Sequence, residues 1–252
     1  MRRAKKNYCE HGFSLIEMMM VLAILMLVMG VTMRAIMDVE KRQRTEEAKV
    51  DLNQEGREFV DQIVRDLHQS GYPTAYMYSP APTGPGQVAT GIQAATQTSI
   101  QFQGDVDGGG TVEQVNYQLI TDLTAAPAGQ CPCILQRSMV PVGTAVSYST
   151  EVDQVINSMG TAGGAWTVAG NFTPIGGQAQ TGVNNTYYAS FKTQPVFQYF
   201  DGGGNELVPP IADLTQIKSV RITVNTITRQ PDPVTGAYQA VSMTASARIA
   251  NR

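Results

Sequence analysis

Residues 13–33 form an almost unbroken apolar run, from Phe13-Ser14-Leu15-Ile16-Glu17 through Met18-Met19-Met20-Val21-Leu22-Ala23-Ile24 to Met33. At ~1.5 Å rise per residue, its 21 residues match a hydrocarbon core of ~30 Å, so the run predicts one membrane-spanning helix over 13–34. The pattern then changes without a break. Leu52, Phe59, Val60, Ile63, Val64 and Leu67 recur at spacings of three and four, the signature of a helix with one apolar face. Arg57, Glu58, Asp61, Gln62, Arg65 and Asp66 fall opposite, and Asp61 before Arg65 is a favourable i,i+4 order. Gly71 supplies a C-terminal cap and Pro73 blocks resumption, so the helix is expected to end near Ser70. Read as one element from Phe13, it would extend roughly 85 Å. Gly30 and Gly56 are its weak points, at about 1 kcal/mol each relative to alanine.

Beyond Tyr72 the period shortens to two. Ile100-Gln101-Phe102, Val115 to Leu119, Val220 to Val224, and Val241, Met243, Ala245, Ala247 and Ile249 alternate as half-buried strands do. The last two runs flank the Pro- and Gly-bearing stretch Thr228 to Gly236, which reads as a long hairpin connection. Pro141 to Thr186 is too polar and too rich in breakers for regular elements throughout. The expected fold class is α+β, with a long amino-terminal transmembrane and amphipathic helix packed on an antiparallel β-sheet domain. Its parts are a basic leader at 1–12, a spanning helix at 13–34, an amphipathic continuation at 35–70 and a β-rich domain with long loops at 71–252.

Charge fixes the topology. Arg2, Arg3, Lys5 and Lys6 precede the span, and the positive-inside bias keeps them cytoplasmic and sends the rest outward. A cleavable secretory signal would need a small-residue site after the apolar run, and Gly30-Val31-Thr32-Met33-Arg34 offers none. Within the span Glu17 stands out, because a carboxylate there costs roughly 2.5 to 3.5 kcal/mol at the bilayer centre and less near an interface. It calls for a cation.

Gly12-Phe13-Ser14-Leu15-Ile16-Glu17, behind a basic leader and ahead of a spanning helix, resembles the type IV prepilin family. The resemblance implies cleavage by a prepilin peptidase between Gly12 and Phe13, N-methylation of Phe13, and pairing of Glu17 with the Phe13 ammonium of a neighbouring subunit. It further implies other pilins or pseudopilins as partners, and an inner-membrane single pass with a periplasmic carboxyl-terminal domain that later enters a pilus or pseudopilus, or the cell surface. The order of the Phe59 to Leu67 stretch, Gly71-Tyr72, Ile100-Gln101-Phe102 before an Asp/Gly turn, and Phe197 to Asp201 before another, is similar to the W-type minor pilins and the J-type minor pseudopilins of type II secretion. A minor pilin acting in assembly, priming or at the tip is therefore expected, with a type II minor pseudopilin as the alternative. A membrane-anchored binding module or enzyme outside any filament is the reading from a different class.

Other chemistry is sparse. Cys9 lies in the leader, leaving Cys131 and Cys133 as an even pair in an oxidising compartment; a tight disulfide and two free thiols both stay open. Asp105-Val106-Asp107-Gly108-Gly109-Gly110-Thr111-Val112-Glu113 partly resembles a calcium loop, with Asp105, Asp107 and Glu113 as candidate ligands. Gly109 stands where a third ligand is expected and Asn116 where a bidentate glutamate should be, so a plain hairpin turn is the stronger reading. The turn at Asp201 to Glu206 carries fewer carboxylates. No other cofactor is expected. From Gly71 onward seven basic residues face ten acidic ones, with no Lys or Arg between Arg137 and Lys192, which disfavours direct nucleic-acid binding. His68 sits near a helix end, and no nucleophile elbow, metalloprotease helix or phosphate loop is present, so no catalysis is expected. Trp166 and the pair Tyr187-Tyr188 read first as aromatics that tuck a long loop onto the sheet, and second as exposed anchors for a partner.

Overall fold

The computed structural model describes residues 14–80, 82, 84, 86–121, 133–158, 191, 193–228 and 238–249. The chain divides into two compact units, Met1–Glu46 and Glu47–Arg252. One helix, α1 (Leu15–His68), contributes to both. A turn at residues 69–71 follows it, and Gly71 takes the left-handed conformation (φ 81°) expected of a glycine cap.

In the second unit the predicted stripe is the buried one. Leu52, Phe59, Val60, Ile63 and Leu67 are buried, and Val64 packs at the edge of the same cluster. Against them lies an antiparallel sheet of nine strands: β1 (Ile92–Ala95), β2 (Ser99–Gly104), β3 (Glu113–Thr121), β4 (Cys133–Pro141), β5 (Ser149–Val155), β6 (Phe197–Phe200), β7 (Glu206–Leu207), β8 (Ser219–Ile227) and β9 (Ala240–Arg248). The first five form a meander. β8 then pairs along its whole length with β9, while its other edge is shared between β6 and a single pairing, Val155 to Thr226, from β5. A bulge lets β5 make that change of partner. Its register against β4 shifts near Gln154, which sits at φ 53°.

The sheet curls until β6 meets the first hairpin. Val196 N and Phe197 N both donate to Gln97 O, at 3.1 Å each. The Tyr199 hydroxyl donates to Thr96 O at 2.7 Å and lies 3.1 Å from Ser99 O. Side chains of α1, β2, β3, β4, β6 and β8 fill the space inside, with Phe59 edge-on to Tyr117 and Phe102 stacked on it.

Two expectations about the polar face of α1 are corrected here. Asp66 does not lie on the solvent face: it is 5% exposed, and its Oδ2 accepts from the Tyr117 hydroxyl at 2.5 Å and from Arg137 Nε and Nη2 at 3.0 and 2.8 Å. Asp61 and Arg65 stay exposed and do not close the anticipated pair. The span from Pro141 to Thr186, read as too polar and breaker-rich for regular elements throughout, contains one strand among its described residues, β5, whose Val152 and Val155 are buried.

Glycines set how closely α1 approaches. Gly56, read above only as a weak helical position, faces β9, where an added Cβ would lie 2.6 Å from the Met243 methyl. Gly104 is tighter still, because a Cβ there would meet backbone, Gln69 O at 2.5 Å and Gln69 C at 3.0 Å. Backbone cannot swing aside as the end of a methionine can. Gly104→Ala should therefore destabilise the folded domain by about 1–3 kcal/mol through overpacking, while Gly56→Ala stays within about 1 kcal/mol because lost crowding room is offset by helix propensity. Chemical denaturation of the two variants side by side checks this, and equal midpoints would contradict it.

Candidate functional site

The amino-terminal element is built from its helix start. Gly12 and Phe13, the expected cleavage and methylation positions, lie outside the described residues. Ser14 opens α1, its carbonyl accepting from Glu17 N at 3.0 Å and Met18 N at 3.2 Å. Glu17 thus occupies the first turn, where a negative charge complements the exposed N–H groups and the positive end of the helix dipole. From Leu15 to Val39 the large apolar side chains are all half or more exposed, on every side of the helix. Apolar groups all round a helix mark one that is surrounded by lipid or by other helices, and none of the described residues buries this segment. It is long and apolar enough to cross a membrane.

The second cluster is at the β2–β3 turn. The turn is pinned to the end of α1 from two sides. Gly71 N donates to Gln103 O and Asp105 N to Tyr72 O, both at 2.8 Å. The Gln69 amide, in the orientation that satisfies both its ends, donates to Asp105 O and Val106 O at 2.9 and 2.8 Å. Gly108 and Gly110 take left-handed φ values of 74° and 79°, which lets the chain double back. Asp105, Asp107 and Glu113 converge there, with one carboxylate oxygen of each within 4.8 Å of the others. Glu113 comes from the first position of β3, paired with Gly104 across the ladder, rather than from the far end of an EF-hand-type loop. Burial raises the Glu113 carboxyl above the usual range. The Val106 N–H opposes this, and the neighbouring Asp107 and Asp105 charges add to it.

The remaining candidates separate clearly. Asp201 spends its carboxylate on its own turn, accepting from Gly203 N, Asn205 N and Asn205 Nδ2 at 2.8 to 2.9 Å. Cys133 is fully buried at the start of β4 and disulfide-bonded; Cys131 and Cys9 lie outside the described residues. Trp166, Tyr187 and Tyr188 lie outside them too. His68 is the last residue of α1 and exposed. Asp66, Tyr117 and Arg137, too far apart in the chain for any local pattern to link, form the buried polar tie between α1, β3 and β4.

Residues 8–33 match the family model described as the prokaryotic N-terminal methylation motif. The match covers the segment that carries Gly12, Phe13 and Glu17, and it supports a type IV prepilin-like family. Comparison with curated proteins and with solved structures gives no match. The motif implies processing by a prepilin peptidase and assembly with other pilins in general, and with the apolar helix it fits a membrane-anchored pilin.

Proposed function

We propose that the chain is a minor pilin, a non-catalytic subunit that acts in the assembly, priming or tip of a type IV pilus. The observation that carries this reading is the methylation motif at the start of an apolar helix that is exposed on all sides and continues into the helix buried by the β-sheet. In this reading Gly12 is the cleavage position and the methylated Phe13 becomes the amino terminus. Glu17 sets the stagger against the neighbour's ammonium, the apolar helix packs in the filament core, and the β-domain faces outward from the periplasm. At least 240 residues follow residue 12, a size that favours a tip or priming component over the main repeating subunit. The order of α1, the Gly71-Tyr72 corner and the β2 and β6 strands supports a W-type subunit. The acidic balance of the domain supports no direct contact with nucleic acid.

Mass spectrometry of sheared surface filaments against the membrane fraction tests the reading. A methylated Phe13 terminus in the sheared material, at a trace ratio to the main pilin, is the expected result. Processed protein confined to the membrane would point instead to a minor pseudopilin of type II secretion. An intact Met1 leader would overturn the filament role altogether.

A further inference from the structure

We propose that the β2–β3 turn is a calcium site in which Asp105, Asp107 and Glu113 each supply a carboxylate oxygen. The turn uses half of its carboxylate capacity on itself. Asp105 Oδ2 accepts from Gly110 N at 3.0 Å, Asp107 Oδ1 from Gly109 N at 2.7 Å, and Glu113 Oε2 from Val106 N at 3.0 Å. Each side chain therefore keeps one oxygen. On Asp105 the oxygen that remains, Oδ1, is fully buried and meets no donor among the described residues, although the residue as a whole is 8% exposed. Glu113 is 4% exposed. Among the described residues no basic side chain pairs with any of the three.

Burying ionised carboxylates without a counter-charge is costly, and three of them together repel one another as well. Protonating one removes some of that cost; a divalent cation removes most of it. The spacing suits calcium. Oxygens sharing an ion at roughly 2.4 Å from its centre can lie no more than about 4.8 Å apart, and one carboxylate oxygen of each of the three residues lies within 4.8 Å of the others. Calcium also accepts an irregular shell completed by backbone carbonyls and water, which a glycine-rich turn provides more readily than the strict octahedron magnesium demands. Gly109 helps to keep Asp107 in place, since a Cβ there would press on Asp107 Oδ1 at 2.8 Å. The Asp201 turn offers the internal contrast: there both carboxylate oxygens already have donors.

The test is thermal unfolding of the full chain in detergent micelles, with EDTA, calcium or magnesium. For a site with the affinity usual in extracellular modules, about 10 mM calcium should raise Tm by roughly 3 to 10 °C. Magnesium should raise it less. Asp107→Asn, at an exposed position, should leave Tm in EDTA near wild type and abolish the calcium response. Glu113→Gln should raise Tm in EDTA, because a buried charge disappears while an acceptor for Val106 N remains, and should likewise abolish the response. A wild-type Tm indifferent to calcium would overturn the proposal, as would an equal rise in both variants. An equal rise with magnesium would overturn the assignment to calcium.

Discussion

Replacing Glu17 with alanine should leave the chain cleaved and methylated but lower its incorporation into filaments by roughly tenfold to a hundredfold. The leader junction, which the peptidase reads, is untouched by the change. What is lost is the anion in the first turn of α1. A carboxylate and an ammonium ~4 Å apart attract by about 4 kcal/mol at an effective dielectric of about 20, before desolvation is subtracted. Charge-assisted hydrogen bonds retain about 1.5–3 kcal/mol net, and each 1.4 kcal/mol is a tenfold change in equilibrium. A second effect acts in the same direction. An acidic group in the span costs energy in lipid, so Glu17 destabilises the membrane-held subunit relative to one whose charge is paired in a filament, and alanine removes that bias. Glu17→Gln should behave nearly as badly as alanine, because it keeps an acceptor but not the charge. The measurement is the ratio of the variant in sheared filaments to the variant in membranes, with the amino-terminal peptide read in both. Wild-type incorporation of Glu17→Ala would show that the charge does not set the stagger, and would favour an anchored module without a filament role.

That prediction rests on residues legible in the sequence, because a short contiguous motif carries its own context. Local periodicity was equally legible. The stripe from Leu52 to Leu67 and the alternation in β2, β3 and β8 each reflect one buried face, and the structure buries those faces; on β9 the alternating face is half-buried from Val241 to Ala245 and buried at Ala247 and, just past the strand, Ile249. Elements whose pattern is interrupted were not. In β5 the bulge at Gln154 breaks the alternation and leaves only Val152 and Val155 as apolar signals, so a polar composition concealed a strand. The acidic turn was half legible: the Asp105-x-Asp107 spacing is local, but the place of Glu113 depends on the β2–β3 register, and the burial of Asp105 depends on the corner at Gly71 and Tyr72. Asp66 was misplaced for the strongest form of the same reason. It lies next to Leu67 at the rim of the stripe, and its partners Tyr117 and Arg137 are 51 and 71 residues away, beyond any signal a helical wheel contains.

Asp66→Ala should accordingly cost far more than a surface change, about 3–5 kcal/mol. The Asp66 carboxylate is 7% exposed and the Arg137 side chain 15%, so the ion pair at 2.8 Å is screened very little by solvent. Removing the carboxylate strands the guanidinium beside the Tyr117 ring, 5.9 Å from its centroid, with the phenol at 3.0 Å from Nε in place of an anion. For a folded unit of this size, 3–5 kcal/mol corresponds to a fall in Tm of roughly 6 to 20 °C. Tyr117→Phe removes only one hydroxyl and should cost about 1 kcal/mol. Burial, and then the Asp66 charge, hold the Tyr117 phenol well above its ordinary value, so it stays protonated and donating. Its contribution is complete below the unfolded phenol pKa of about 10 and is lost only as the pH climbs through the higher folded value. The decisive comparison is the double variant Asp66→Leu with Arg137→Met. Replacing both charges by apolar groups of similar volume avoids leaving either one unpaired, so the double variant should be more stable than Asp66→Ala by about 2 kcal/mol or more. Denaturant midpoints of the full chain in detergent give all of these values. A loss below about 1 kcal/mol for Asp66→Ala would mean that the pair behaves as a solvated surface bridge and that hydrophobic packing alone holds α1 to β3 and β4.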